Sequence, residues 1–222
     1  MQGDVFFNHG VFNVNGSGSI DVYAGNDVRL GTTTGSGVSQ LALRNGQITV
    51  KAERDLYLRG GLSSNSRAQI GFSAGQTVDC DIFLSIGRDI QVLAGGNSNS
   101  IALIGHGFVN VNGNYSGDII VQSVGRDVIL EGSTNTAGSL MFAQIGHART
   151  SGANTLSFSG DIRGEELDSF ASIGGHLQIR GGSDTESYAL FGHGGQDSNA
   201  NETYRGAIRV EADTISLVGG AG

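Results

Sequence analysis

Apolar residues recur along this chain in short words, apolar or small at the first and third positions, separated by polar stretches rich in glycine. Alternation with period two is the signature of a strand that buries one face. The words are of three kinds. The first reads VFF at Val5, LAL at Leu41, AQI at Ala68, ALI at Ala102, AQI at Ala143 and ALF at Ala189, at spacings of 36, 27, 34, 41 and 46 residues. The second is an Ile-x-apolar word at Ile20, Ile48, Ile82, Ile119 and Ile208. The third starts at Val28, Leu56, Ile90, Val128, Leu177 and Ile215, and glycine follows it, doubled at Gly60-Gly61, Gly95-Gly96, Gly181-Gly182 and Gly219-Gly220. From second to third word the step is 8 residues in the first three repeats, 9 in the fourth and 7 in the last. That corner is tight, so insertions fall at the other two. In the fifth repeat the second word breaks down after Gly160-Asp161-Ile162 into RGEELDSF and does not align.

Words in a fixed order with tolerant corners predict an all-β chain folded as a parallel β-helix (β-solenoid). A single domain over 1–222 is expected, in about six coils of three short strands each, at approximately 5–40, 41–67, 68–101, 102–142, 143–188 and 189–222. Equivalent residues would stack about 4.8 Å apart in a rod of roughly 30 Å. The expected core columns are Ile20, Ile48, Ile82, Ile119 and Ile208, and Leu30, Leu58, Val92, Leu130, Ile179 and Leu217. An antiparallel sandwich also uses short strands and turns, but it calls for alternating partners, not three words in one order.

Composition sharpens this picture. The 222 residues include 38 Gly and no Pro, against ordinary usage of about 7% and about 5%. Among bursts of Val, Ile and Thr, glycine reads as a turn residue. Absent proline fits strands paired on both sides, each needing its N–H. The net charge of −8 argues against nucleic acid and anionic membrane surfaces as partners. No apolar run approaches the ~20 residues that span a bilayer, so direct membrane insertion is not expected. No signal peptide follows Met1, and the lone Cys80 excludes an intrachain disulfide. The chain starts on a first word and stops after Gly219-Gly220 without an atypical capping unit. Six units of a longer array, or a subunit that stacks end to end, are therefore expected.

Three groups of residues invite chemistry. His106, His147 and His193 follow Ile-Gly or Phe-Gly, with His9 placed at the same point of the first repeat. Stacked imidazoles can titrate together or bind metal, but Asn45 and Phe72 interrupt the series and no acid or Cys recurs beside it to complete a ligand set. The expectation is a bend residue. The second group is Arg-Asp ahead of the third word: Arg54-Asp55, Arg88-Asp89 and Arg126-Asp127, with Asn26-Asp27 in the first repeat. Asp before a strand bonds the backbone two positions on, and Arg beside stacked carboxylates offsets their repulsion, so these read as structural ladders. A calcium loop needs convergent oxygens, and the Gly-Gly-x-Gly-x-Asp nonapeptide is absent. The third group is Glu165, Glu166 and Asp168, where paired carboxylates could cleave a glycosidic bond; with no recurring Arg or Lys to stabilise developing charge, a solvated loop is expected. No Walker loop, GxSxG or HExxH occurs. Triplets at Asn15, Asn114 and Asn201 match glycosylation acceptors, and Thr32, Thr33 and Thr34 do not form the flat array of an ice-binding face. No catalytic residue, metal or cofactor is expected.

The words GDIIV, GRDVILEG and AQIGH, set in a Gly/Asn/Ser-rich chain, resemble the passenger repeats of large secreted bacterial β-helix proteins, namely filamentous-haemagglutinin type adhesins of two-partner secretion and autotransporter passengers. The likeness runs from Val5 to Gly220 and lies in repeat style; the family's N-terminal secretion domain is not recognisable. It implies a right-handed β-helix, export to the bacterial surface or medium, and a binding or spacer role without catalysis. The expected partner is a glycan or protein on a host or neighbouring cell, contacted along the rod by the variable loops 108–117, 148–160 and 194–206. The alternatives are a filament of end-to-end subunits and a polysaccharide-cleaving enzyme.

Overall fold

The computed structural model describes residues 3–31, 35–73, 77–108, 113–135, 138–148, 156–184, 186–195 and 202–220. These residues are all-β: nineteen strands join one sheet, and the described residues contain no helix, hence none long and apolar enough to cross a membrane. Every pairing between strands is parallel, from the first (Val5–Phe7 on Val28–Gly31) to the last (Ala171–Arg180 on Val210–Val218). An antiparallel sandwich is thereby excluded.

The words stack on their own kind. Ile20 pairs with Ile48, Ile48 with Ile82 and Ile82 with Ile119; the column continues through Ile162, which a bridge joins to Ile208. The word that failed to align in the fifth repeat is therefore present as Ile162–Arg163, cut short before the inserted GEELDSF turn. The third words stack as Val28, Leu56, Ile90, Val128, Leu177 and Ile215. Branched residues at every second position pack against their equivalents in the next rung, which is where a pleated sheet gains most from Val and Ile. The strand Val78–Ile86 is buried at each alternate residue throughout.

Two placements differ from the sequence expectation. VFF at Val5–Phe7 pairs with Val28–Leu30 and so belongs to the third-word column. In the second repeat the first word is Ser39-Gln40-Leu41, paired with Ala68-Gln69-Ile70, and LAL lies two residues too late. A shift of two leaves every side chain on its original face, so alternation alone does not fix that register. The strands also differ in number from three per repeat. Val11–Ala24 and Val38–Ala52 each run through first and second words without a break, with a register shift between Val14 and Ser17 at the bend. An additional column, Val78, Tyr115, Phe158 and Tyr204, lies between first and second words. Its rings stack at 5.5 and 5.0 Å.

Ile20, Ile48, Ile82, Ile119, Leu30, Leu58, Val92 and Leu130 are buried in one cluster, and Ile179 packs against it half-buried. Ile208 and Leu217, on the last described rung, are 47% and 73% exposed. Full burial of such a side chain stabilises by about 1.5–3 kcal/mol, and each repeat obtains it only from its neighbours.

Candidate functional site

The bend after the first word is set by glycine. Gly105 has φ of +147°, and a Cβ there would lie 2.0 Å from the Gly146 carbonyl oxygen of the next repeat. Only glycine allows this approach. The residue after it is His106, then His147 and His193, stacked with ring centroids 5.0 and 4.8 Å apart. The Nδ1 of each accepts the backbone N–H of the residue above it: Phe72 to His106 at 3.0 Å, His106 to His147 at 3.2 Å and His147 to His193 at 3.0 Å. The Nε2 atoms face carbonyl oxygens, of Cys80 at 2.6 Å, Gly117 at 2.9 Å and Gly160 at 2.9 Å. An Nδ1 that accepts and an Nε2 that meets an acceptor assign the neutral Nε2–H tautomer.

Burial opposes protonation of the stack. It pushes His106 down to about 4. His147 lies well below the ordinary range through burial and its two neighbouring imidazoles, and His193 is lowered by burial. Both ring nitrogens of each are committed, so no lone pair remains for a metal. Among the described residues no cluster of three or more His, Cys, Asp or Glu could hold one. His9 stands elsewhere. Gln40 N–H bonds the Gly10 carbonyl, which puts His9 ahead of the first-word strand, its N–H on Ser39 Oγ at 3.1 Å. Leu43 and Phe72 fill the bend column above His106, since Gly71 N–H bonds Leu41 O as Gly105 N–H bonds Ile70 O. Asn45 is not in that column.

The aspartates before the third word also form a ladder. The N–H of Asp55 donates to Asp27 Oδ1 at 3.3 Å, Asp89 to Asp55 at 3.2 Å and Asp127 to Asp89 at 3.2 Å. Asp4 caps it at one end, accepting from Asp27 N–H, and His176 N–H donates to Asp127 at 2.9 Å at the other. The arginines bridge to the preceding repeat: Arg54 to Asp27 at 3.5 Å, Arg88 to Asp55 at 3.4 Å and Arg126 to Asp89 at 2.9 Å. The Asp27, Asp55 and Asp89 side chains are at most 7% exposed, the arginines 40–57%. The charge-assisted backbone bonds therefore carry more of the stability than the half-solvated ion pairs.

Further ladders went unnoticed in the sequence. Asp118 N–H donates to Asp81 at 2.7 Å, Asp161 to Asp118 at 2.8 Å and Ala207 to Asp161 at 2.7 Å. Their signal was present in the repeated Asp-Ile of CDI and GDI. The buried Gln69 and Gln144, central in AQI, donate from Nε2 to the bend carbonyls of Gly105 at 3.0 Å and Gly192 at 2.8 Å. Cys80 takes a corner where the neighbouring repeats have Gly46 and Gly117; burial pushes its thiol up to about 12, which removes thiolate reactivity.

The acidic turn does not converge. Glu165 Oε2 accepts from Gln122 at 2.6 Å, while Asp168 pairs with Arg209 at 2.7 Å. Glu166 offers its backbone carbonyl to Ser169. Thr32, Thr33, Thr34 and Asn201 lie outside the described residues, as do parts of the loops 108–117, 148–160 and 194–206. Comparison with family models, curated proteins and solved structures gives no match for this chain.

Proposed function

We propose that the chain is a parallel β-helix of about six coils that serves as the non-enzymatic rod of a secreted or cell-surface bacterial adhesin, presenting binding surfaces along its length. The supporting architecture is the set of columns in which each word pairs with the same word of the next repeat. The right hand, the export and the adhesive role rest on the likeness of GDIIV, GRDVILEG and AQIGH to adhesin passenger repeats. One observation carries the non-enzymatic reading: the recurring histidines and aspartates are spent on the fold. His106, His147 and His193 use both ring nitrogens, and Asp27, Asp55, Asp89 and Asp127 each accept a backbone N–H from the next repeat.

Binding of the purified chain to arrayed glycans and to intact cells tests the adhesin reading, with release of reducing ends from acidic polysaccharides as the parallel assay. Binding without turnover is the expected result; turnover that Glu165→Gln abolishes would replace the rod with an enzyme.

A further inference from the structure

The third-word face has an outer surface that the columns inside it do not use. Phe6, Arg29, Tyr57 and Gln91 are paired rung to rung and share this outer side. Two residues further along each strand, Gly31 supplies no side chain above Arg59. The missing side chain opens a groove of 470 Å³ lined by Phe6, Asn8, Arg29, Tyr57, Arg59 and Gln91, among others, with no Asp or Glu in its lining. On a chain of net charge −8, a groove whose only full charges are guanidiniums selects for an anion. Its size and its mix of aromatic wall with a few polar groups match ordinary small-ligand sites.

Arg29 is fixed in place before any ligand arrives. Its Nη2 lies 2.7 Å from the buried carboxylate of Asp27. Its guanidinium stacks 5.7 Å from the Phe6 ring and 4.6 Å from the Tyr57 ring, while Tyr57 Oη donates to Asp55 at 3.1 Å. Of the five N–H donors of a guanidinium, one is accounted for by Asp27, which leaves others for a ligand. Arg59 has no ion-pair partner among the described residues. One rung and two residues separate these arginines, about 8 Å between Cα atoms, a spacing that two arginine side chains can span.

The backbone narrows the ligand class. On the Val28 and Leu56 rungs that floor the groove, strand N–H and C=O groups pair above and below, so a ligand lying on the floor meets side chains and no main-chain edge. The open edge of Val5–Phe7 lies at the rim, where strand addition would leave Tyr57, Arg59 and Gln91 untouched. Recognition falls to guanidinium, amide and ring. We infer that the groove between Phe6, Arg29, Tyr57 and Arg59 binds an acidic oligosaccharide: its carboxylate or sulfate meets the two arginines, its hydroxyls meet the Asn8 and Gln91 amides, and the apolar face of a sugar ring lies on the aromatic wall. This rests on reading the chain as a binding rod and names its ligand chemistry.

Calorimetric titration of the full chain with trigalacturonate, a sulfated glycosaminoglycan hexasaccharide and neutral maltotriose tests it, with Arg59→Gln as the variant and reducing ends measured on the same samples. Arg59 is exposed, so the variant leaves the fold intact, as its circular dichroism will show. Expected are binding of at least one acidic probe, none of maltotriose, and affinity about tenfold lower in Arg59→Gln, one charged hydrogen-bonding group being lost. Which acidic probe binds distinguishes carboxylate from sulfate. Equal affinity for maltotriose, undiminished affinity in Arg59→Gln, or no binding of either acidic probe overturns the groove. New reducing ends, with Arg59→Gln still weakening binding, overturn the non-enzymatic rod and leave the groove standing.

Discussion

Acid should weaken this protein through the histidine stack, and the amount can be worked out. His106 is fully enclosed and its folded-state value is pushed down to about 4 from an ordinary 6.5. A histidine depressed on folding takes up its proton more readily in the unfolded chain. Its stabilising share is therefore complete above pH 6.5 and is lost as the pH falls towards 4, where the folded form begins to protonate as well. At about 1.36 kcal/mol per pKa unit, the loss between pH 7 and pH 4 from this one residue is about 3 kcal/mol. His147 and His193 act in the same direction. The contact broken is specific: protonated Nδ1 would oppose the Phe72 N–H that it accepts. Denaturant unfolding of the wild type and of His106→Phe at pH 7 and pH 4 isolates the effect, phenylalanine being the residue that already fills this column at Phe72. At pH 7 the variant is weaker by about 1–3 kcal/mol, the cost of an unsatisfied buried N–H. Its further loss on going to pH 4 should be about 3 kcal/mol smaller than that of the wild type. Equal losses in the two proteins would refute the locked neutral tautomer, as would an imidazole nitrogen spectrum showing His106 protonated at Nδ1 near pH 6.

Other substitutions read out the remaining ladders. Ile82→Ala, at a fully buried rung between Ile48 and Ile119, should cost about 2–5 kcal/mol in unfolding free energy. Gly105→Ala forces a Cβ against the Gly146 carbonyl at positive φ and should cost about 1–3 kcal/mol, visible as a lower melting temperature. Asp55→Ala strands the buried Asp89 N–H and should cost about 1.5–3 kcal/mol. Arg88→Met, half-exposed at the same ladder, should cost less than about 1 kcal/mol; the reverse order by chemical denaturation would show that the ion pairs dominate.

What could be read from the sequence follows from period two. Alternation placed Ile20, Ile48, Ile82 and Ile119 in one column because each opens an Ile-x-apolar word directly after a polar residue, Ser19, Gln47, Asp81 and Asp118. It could not place LAL, where a shift of two keeps the same face inward, and it put VFF in the wrong column because VFF at Val5 and VFN at Val11 start alike, while only the latter pairs with the first word of the next repeat. Ile162 was missed because its strand is only Ile162–Arg163 before the inserted turn. The Arg-Asp series was legible as a repeated dipeptide. The roles of its members were not, since Arg88 pairs with Asp55 of the preceding repeat more closely than with the adjacent Asp89. The histidines were visible as a recurring bend residue, but their tautomer depends on carbonyls of Cys80, Gly117 and Gly160 that come from a different word. The surface groove had no sequence signal at all, because its wall is assembled from separate strands that share one outer face.

The central claim is that equivalent words stack rung on rung in parallel. Methyl–methyl NOE spectra of the chain labelled at isoleucine δ1 test it most directly. The account predicts an unbroken series of cross-peaks from Ile20 to Ile48, Ile82, Ile119 and Ile162, each joining neighbours in the pairing register. Absence of the Ile48–Ile82 and Ile82–Ile119 cross-peaks, with contacts instead between words of different kinds, would contradict it.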